Sequence, residues 1–282
     1  MITKPCAKIN LGLYVTERRA DGYHNLETVF YPIPLRDELE VETSEKDELL
    51  VEGIPIAGNA EDRSAGKDAL LKENLVMRVV RKLRDEGHDI PPLRIRLRKN
   101  IPSGAGLGGG SSDAAYMMRM LNEMFHLGLS IEEMERSVSH LGADCAFFIQ
   151  HKPVMAKGIG DLFTPIDLDL TGWHILLVKP DDFISTREAY QGVEPRLPQH
   201  NLEDSIQRPV DEWKTLVEND FERSVFPQHP TVAGIKQRLY EAGAQYAAMS
   251  GSGSSVFGLF REKPSSALAD TFAPHFIFLG TL

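Results

Sequence analysis

Ile101-Pro102-Ser103-Gly104-Ala105-Gly106-Leu107-Gly108-Gly109-Gly110-Ser111-Ser112 is the stretch on which the fold turns. It packs five glycines and three serines into twelve residues, between a strand pattern and a helix pattern. Without a Cβ in the way, such a backbone can turn its N–H groups inward. At a helix N-terminus those groups and the helix dipole form an anion site, most often for phosphate. The Walker phosphate loop ends in Gly-Lys-Ser/Thr, but here Ser111 follows Gly110, which argues against a P-loop NTPase. Gly104, Gly106 and Gly109 satisfy G-x-G-x-x-G, a weak match in so glycine-rich a run. A dinucleotide fold also needs a second strand ending in an acidic residue about 20 residues on. The chain instead continues as two helical patterns through about residue 140. A flexible linker would not sit between a clear strand and a clear helix.

Before the loop, Leu93–Lys99 alternates, with Leu93, Ile95 and Leu97 on one face and Arg94, Arg96 and Arg98 on a solvated one. Upstream, Asn74 starts a helix whose apolar stripe is Leu75, Val76, Val79, Val80 and Leu83, with Gly87 past its end. After the loop, a helix from about Ser111 to His126 turns Ala114, Ala115, Met118, Leu121 and Phe125 inward. Ser130-Ile131-Glu132-Glu133 is a capping box opening another helix, which runs to Leu141 and stops at Gly142.

Near the N-terminus, Ile9, Leu11, Leu13 and Val15 alternate, so Lys8 and Asn10 share the opposite face. Arg18 to Gly22 reads as a turn, followed by strands at about Thr28–Pro32 and Glu38–Thr43. Residues 44–68 are polar and read as a hairpin and a loop. Composition shifts near residue 150, dividing the chain into 1–150 and 151–282. The second part shows a strand at His174–Lys179, helices near Asp211–Glu222 and Thr231–Ala242, a strand at Ser255–Phe260 and a helix-strand pair over about 265–280. Strands grouped rather than alternating with helices predict an α+β fold.

The chain has 282 residues, 42% hydrophobic and 26% charged, ample for a core. A net charge of −10 argues against a nucleic-acid partner. The sequence lacks a membrane-length apolar run and a signal pattern, so a cytoplasmic protein is expected. Cys6 and Cys145 have no metal-ligand spacing and read as reduced thiols.

Taken one at a time, Lys8 and Asn10 could be a solvated strand face, Asp144 a turn cap, and Tyr23 and His24 packing residues. Together they supply what phosphoryl transfer to a hydroxyl requires: a phosphate cradle, a carboxylate near the acceptor and a cation near both. Ala7-Lys8-Ile9-Asn10-Leu11 with Arg19 to His24, then Pro102 to Ala115, then Leu141-Gly142-Ala143-Asp144, and more faintly Ser250-Gly251-Ser252-Gly253-Ser254, resemble the motifs of the GHMP kinases. That superfamily includes galactokinase, homoserine kinase and mevalonate kinase. The Asp-Gly-Tyr-His segment resembles the branch whose acceptor alcohol carries a cytidine diphosphate group, in non-mevalonate isoprenoid synthesis.

The resemblance implies a two-lobed α+β GHMP kinase fold with its active site in the inter-lobe cleft. It implies an ATP- and Mg2+-dependent kinase, a monomer or homodimer, for a small-molecule substrate carrying cytidine diphosphate. Lys8 and Asp144 match the catalytic pair, Pro102 to Ser112 the ATP triphosphate loop, and Asn74 a position near the nucleotide base. Tyr23 and Tyr190 match an aromatic pair around the pyrimidine, His24 a residue on its edge, and Asn10 and Thr186 substrate-side positions. The metal ligands are left open. The chain departs from the pattern at Cys145-Ala146, where an apolar residue and often proline follow the aspartate, and from Thr186 to Gln245, which matches loosely. The alternatives are a homoserine or sugar kinase of the same superfamily, against which the Tyr23-His24 pair speaks, and a non-catalytic nucleotide-binding protein, against which Lys8 with Asp144 speaks.

Overall fold

The alternation in Leu93–Lys99 organises the first of two compact units. The computed structural model describes residues 1–54 and 73–282. The first unit comprises Met1–Ala7, Leu35–Ser103 and Gly108–Lys152. Its sheet runs Ile2–Thr3 (β1), Glu38–Thr43 (β4), Leu93–Lys99 (β6) and Glu48–Gly53 (β5), in the order β1-β4-β6-β5. Leu93, Ile95 and Leu97 are buried while Arg94, Arg96 and Arg98 stay exposed. The arginine face is a ladder rather than merely solvated. Antiparallel pairing sets Glu38, Glu40 and Glu42 opposite Arg98, Arg96 and Arg94. Arg94 binds Glu42 at 3.1 Å and Glu48 at 2.9 Å, and Arg96 binds Glu40 at 3.2 Å. Such exposed cross-strand pairs contribute under about 1 kcal/mol each and mainly set register.

Among the described residues, the strands on either side of residue 44 do not pair as a hairpin. β5 lies across β6 from β4 and runs parallel to β6. Asp47 anchors it there, accepting two bonds from the Arg84 guanidinium at 2.6 and 2.9 Å and one from the Leu93 N–H at 2.9 Å. The rest of the 44–68 stretch, from residue 55, lies outside the described residues.

The helices of this unit are Leu75–Asp85 (α1), Gly109–Met124 (α2), Ile131–Ser139 (α3) and Phe147–Gln150 (α4). The capping box at Ser130 and Glu133 forms in full. α2 begins two residues before the expected Ser111. Gly108, at φ +69°, takes the N-cap, and a Cβ on Gly109 would lie 2.9 Å from Ile101 Cγ2. Close packing there outweighs the weak helix propensity of two glycines.

The second unit comprises Lys8–Pro34, Gly104–Leu107 and Pro153–Leu282. The units therefore interleave along the chain, whereas the division at residue 150 follows chain order. The interleaving arises because Cys6–Arg18 (β2) and His24–Arg36 (β3) share a sheet with Val154–Lys157 (β7) and Leu162–Pro165 (β8), in the order β2-β3-β7-β8. A second sheet orders Tyr246–Met249 (β10), Val256–Phe260 (β11), His174–Lys179 (β9) and Phe276–Thr281 (β12), all antiparallel. Its helices are Thr186–Gln191 (α5), Leu202–Ile206 (α6), Trp213–Leu216 (α7), Phe221–Val225 (α8), Pro230–Glu241 (α9) and Ser266–Asp270 (α10). The core joins Leu13, Val15, Leu176, Val178, Val232, Ile235, Leu239 and Phe260, among others.

The single helix expected near Asp211–Glu222 is broken. Val217 is extended, at φ −122° and ψ 107°. From there the chain pairs with β2: the Leu13 N–H donates to Glu218 O and the Asp220 N–H to Leu13 O, both at 2.8 Å. Asp220 Oδ2 then accepts the Val15 N–H at 2.8 Å. Those long-range bonds displace local helix bonds.

Candidate active site

Lys8 and Asn10 sit on β2, where burial covers both faces from Cys6 to Val15. Lys8 is 3% exposed and Asn10 2%, so neither lies on a solvated face. A buried ammonium is costly unless it is paired or hydrogen-bonded. Lys8 Nζ donates to Asn10 Oδ1 at 2.6 Å and lies 4.8 Å from the Phe30 ring centroid. Asn10 Nδ2 in turn donates to Thr28 Oγ1 at 2.9 Å, and the Asn10 N–H donates to Ser250 Oγ at 3.3 Å.

Two loops of this second unit close around those residues. The Lys8 N–H donates to Leu107 O at 3.0 Å, and Ser250 Oγ donates to Gly106 O at 2.8 Å. Gly106 has φ +74°, and a Cβ there would lie 2.0 Å from Ser250 O. The glycine loop is thus fitted against the Ser250–Ser254 loop, backbone to backbone. The faint serine-glycine motif acquires its place through that contact.

The flanks of the glycine loop belong to the first unit, where a buried ionic cluster holds them. Asp37 Oδ1 accepts the Ile101 N–H at 2.8 Å and also the Asn100 N–H. Lys99 Nζ bonds Asp37 and reaches Asp113 Oδ2 at 2.6 Å. Burial disfavours the Lys99 charge, but the two carboxylates outweigh it and raise its pKa. Burial pushes the Asp113 carboxyl up to about 8, with Lys99 opposing. Sequence reasoning missed this cluster, although its signal was present. Lys99 shares the parity of Leu93, Ile95 and Leu97, so it had to point into the core.

Ser112 Oγ, in the first turn of α2, is buried without a hydrogen-bond partner. Ser111 bonds the Cys145 thiol, whose pKa burial pushes up to about 11, so that sulfur stays protonated. Asp144 is half-buried in the turn between α3 and α4, next to Cys145. Asn74 caps α1, its Oδ1 accepting the Val76 N–H at 3.0 Å.

In the second unit the ring of His24, at the start of β3, stacks on Tyr190 of α5. The centroids are 4.8 Å apart and the planes 22° from parallel. Tyr190 also meets Phe221 edge-on, with centroids 4.8 Å apart. Burial, and then Arg18, lower the His24 pKa and favour the neutral ring. Tyr23 is 62% exposed in the preceding turn and Thr186 is exposed at the start of α5. His24, rather than Tyr23, is therefore the ring that the fold sets on Tyr190.

The family model described as "GHMP kinases N terminal domain" matches residues 74–152, and "GHMP kinases C terminal" matches residues 202–274. The chain belongs to the GHMP kinase family. Its helices and sheets are those of the α+β GHMP kinase fold. This GHMP kinase is 54% identical over 264 residues to a 4-diphosphocytidyl-2-C-methyl-D-erythritol kinase of Bacteroides fragilis, with 92% of each chain covered. It is 52% identical over 286 residues to one of Bacteroides thetaiotaomicron, each covered in full. A solved 4-(cytidine 5'-diphospho)-2C-methyl-D-erythritol kinase superposes with TM-score 0.82 at 30% identity, covering 100% of this chain and 98% of that one. Among the described residues no helix is long and apolar enough to cross a membrane. Nor do three His, Cys, Asp or Glu side chains among them form a group able to hold a metal ion.

Proposed function

We propose that this GHMP kinase transfers the γ-phosphoryl group of ATP to the 2-hydroxyl of 4-diphosphocytidyl-2-C-methyl-D-erythritol, in non-mevalonate isoprenoid precursor synthesis. The likeness to kinases named for that substrate carries the proposal, and the His24–Tyr190 stack supports it. A neutral imidazole has one donor and one acceptor nitrogen, so one of them can meet either the ring nitrogen or the amino group of a cytosine edge. An aromatic face under a base is worth about 1–3 kcal/mol. Neither homoserine nor a sugar would use that pair.

Asp144 is assigned the proton of the acceptor hydroxyl, and Lys8 the charge that develops on the transferring phosphoryl group. Pro102 to Ser112 are assigned the triphosphate and Asn74 a place near the adenine. Asn10, Tyr23, His24, Thr186 and Tyr190 are assigned the substrate. The orphan hydroxyl of Ser112 fits a phosphate oxygen or a magnesium ion. Mg2+ needs few protein ligands because phosphates and waters complete its shell. When bound, the ion neutralises phosphate charge. The matched family segments, 74–152 and 202–274, support an N-terminal and a C-terminal GHMP kinase domain, and a cytoplasmic monomer or homodimer completes the assignment.

The test is ADP release from ATP and Mg2+, with 4-diphosphocytidyl-2-C-methyl-D-erythritol, homoserine and galactose offered in parallel. Turnover with the cytidyl compound alone is expected. Turnover only with another alcohol overturns the substrate, and silence with all three overturns the kinase assignment of the site residues.

A further inference from the structure

The segment Glu218–Glu222, which matches none of the motifs above, clasps β2 to the Ser250 loop within the second unit. On one side its backbone pairs with Leu13 through two bonds of 2.8 Å, five residues along β2 from Lys8. On the other, the buried amide of Asn219 uses both of its Nδ2 protons on the loop, donating to Met249 O at 2.7 Å and Gly251 O at 2.9 Å. Asn219 Oδ1 accepts the Phe221 N–H at 3.0 Å, so both donors and the oxygen are engaged and the amide has one allowed orientation. Glu222 Oε1 adds a bond from the Met249 N–H at 2.8 Å. The third side is the return from the loop to β2, where Ser250 Oγ accepts the Asn10 N–H while giving its single proton to Gly106 O. Strand, clasp and loop thus form a closed ring of hydrogen bonds.

We propose that Asn219 is a positioning residue for phosphoryl transfer. By fixing Met249 and Gly251 it fixes Ser250, and through Ser250 it holds Asn10, the partner of Lys8 Nζ, and Gly106 of the glycine loop. The proposal rests on the assignment of Lys8 and the glycine loop to the reaction. The physical reason is preorganisation: a shift of about 1 Å in a reacting geometry can cost about 10²-fold in rate. Asn219 touches neither nucleotide nor acceptor in this scheme, so its effect falls on kcat.

Asn219→Asp is nearly isosteric but aims an oxygen at two carbonyls, and Asn219→Ser removes both donors should the aspartate variant fail to fold. Asn122→Asp is the matched control. Its amide clamps Leu129 in the first unit through one donated and one accepted bond, at 3.0 and 2.9 Å, so the same substitution again aims an oxygen at a backbone carbonyl. Two readouts are taken on each folded variant: steady-state kinetics with the cytidyl acceptor, and amide hydrogen exchange over residues 8–12 and 104–107. The expected result for Asn219 is a fall in kcat of about 10- to 100-fold with both KM values within about twofold, plus faster exchange in both segments. The control should change neither. Unchanged exchange in both segments overturns the coupling whatever the activity. Faster exchange with unchanged kcat overturns the positioning role, as does an equal kcat loss in the control. A parent inactive on the cytidyl acceptor overturns the substrate assignment instead, and the exchange comparison still decides whether Asn219 holds the loop.

Discussion

Replacing Gly106 with alanine tests the central packing claim about the glycine loop. Gly106 sits at φ +74°, where an L side chain costs about 1–2 kcal/mol. The new Cβ would lie 2.0 Å from Ser250 O and 2.8 Å from its carbonyl carbon. Those are backbone atoms, which cannot swing aside as a side-chain tip does, so the two loops must part by roughly an ångström to reach ordinary contact. Parting them removes the Ser250–Gly106 hydrogen bond, worth about 1 kcal/mol. The sum is about 2–3 kcal/mol, or a fall in Tm of about 3–5 °C for a chain of this size. The same displacement moves the backbone assigned to the triphosphate, so kcat should fall about 10²-fold. Gly110→Ala is the internal control. Its Cβ would meet only Leu75 Cδ1, at 3.6 Å, within a helix, so it should melt no lower than the parent. The assay is thermal unfolding of both variants beside the parent, followed by steady-state kinetics. A Gly106→Ala protein melting within about 1 °C of the parent refutes the backbone-contact argument.

Three further outcomes follow from the site. Asp113 has its pKa raised in the fold to about 8 by burial, so the folded state holds its proton more tightly than the unfolded chain does. Its contribution to stability is complete below the ordinary carboxylate range and is lost as pH rises through about 8. Asp113→Asn should flatten that part of the stability curve, measured by denaturant unfolding from pH 4 to 9; an unaltered slope refutes the assignment to Asp113. Asp144→Ala should lower kcat by about 10²–10⁴-fold with ATP affinity nearly unchanged, and near-normal turnover would remove it from the reaction. His24→Ala should raise KM for the cytidyl acceptor by about 5- to 100-fold, the equivalent of one base contact, while KM for ATP stays put. An unchanged acceptor KM would mean that the pyrimidine binds elsewhere.

Local patterns were legible where one face of an element is buried and its ends carry chemical signals. β4 and β6 have the bounds that alternation predicts, because a one-residue slip would expose every apolar side chain, and β9 is a four-residue apolar run, buried on both faces, between His174 and Lys179. The Ser130–Glu133 box and the Asn74 cap depend on neighbours within three residues. The glycine run was legible as a loop between strand and helix for the same local reason, since the positive φ angles at 104, 106 and 108 favour glycine. α5 and α6 went unseen because five or six residues carry too little periodicity to register. β7, β8 and β10 are four-residue strands, too short to register a period of two, and β7 also takes its place from β3, more than a hundred residues away.

The sequence by itself determined the loop, its flanking strand and helix, and the kinase family, since these are written in residues adjacent along the chain. Tertiary structure alone decided that Asp37 holds the loop's entrance and that Lys8 answers to Asn10 and Ser250. It also decided that residues 217–220 leave the helix for β2, and that His24 rather than Tyr23 lies on Tyr190. Apart from the Lys8–Asn10 bond itself, which joins neighbours on one strand, each of these depends on hydrogen bonds or ring contacts between residues tens to hundreds of positions apart. No local propensity encodes such a partner, and only the closed set of long-range bonds selects it.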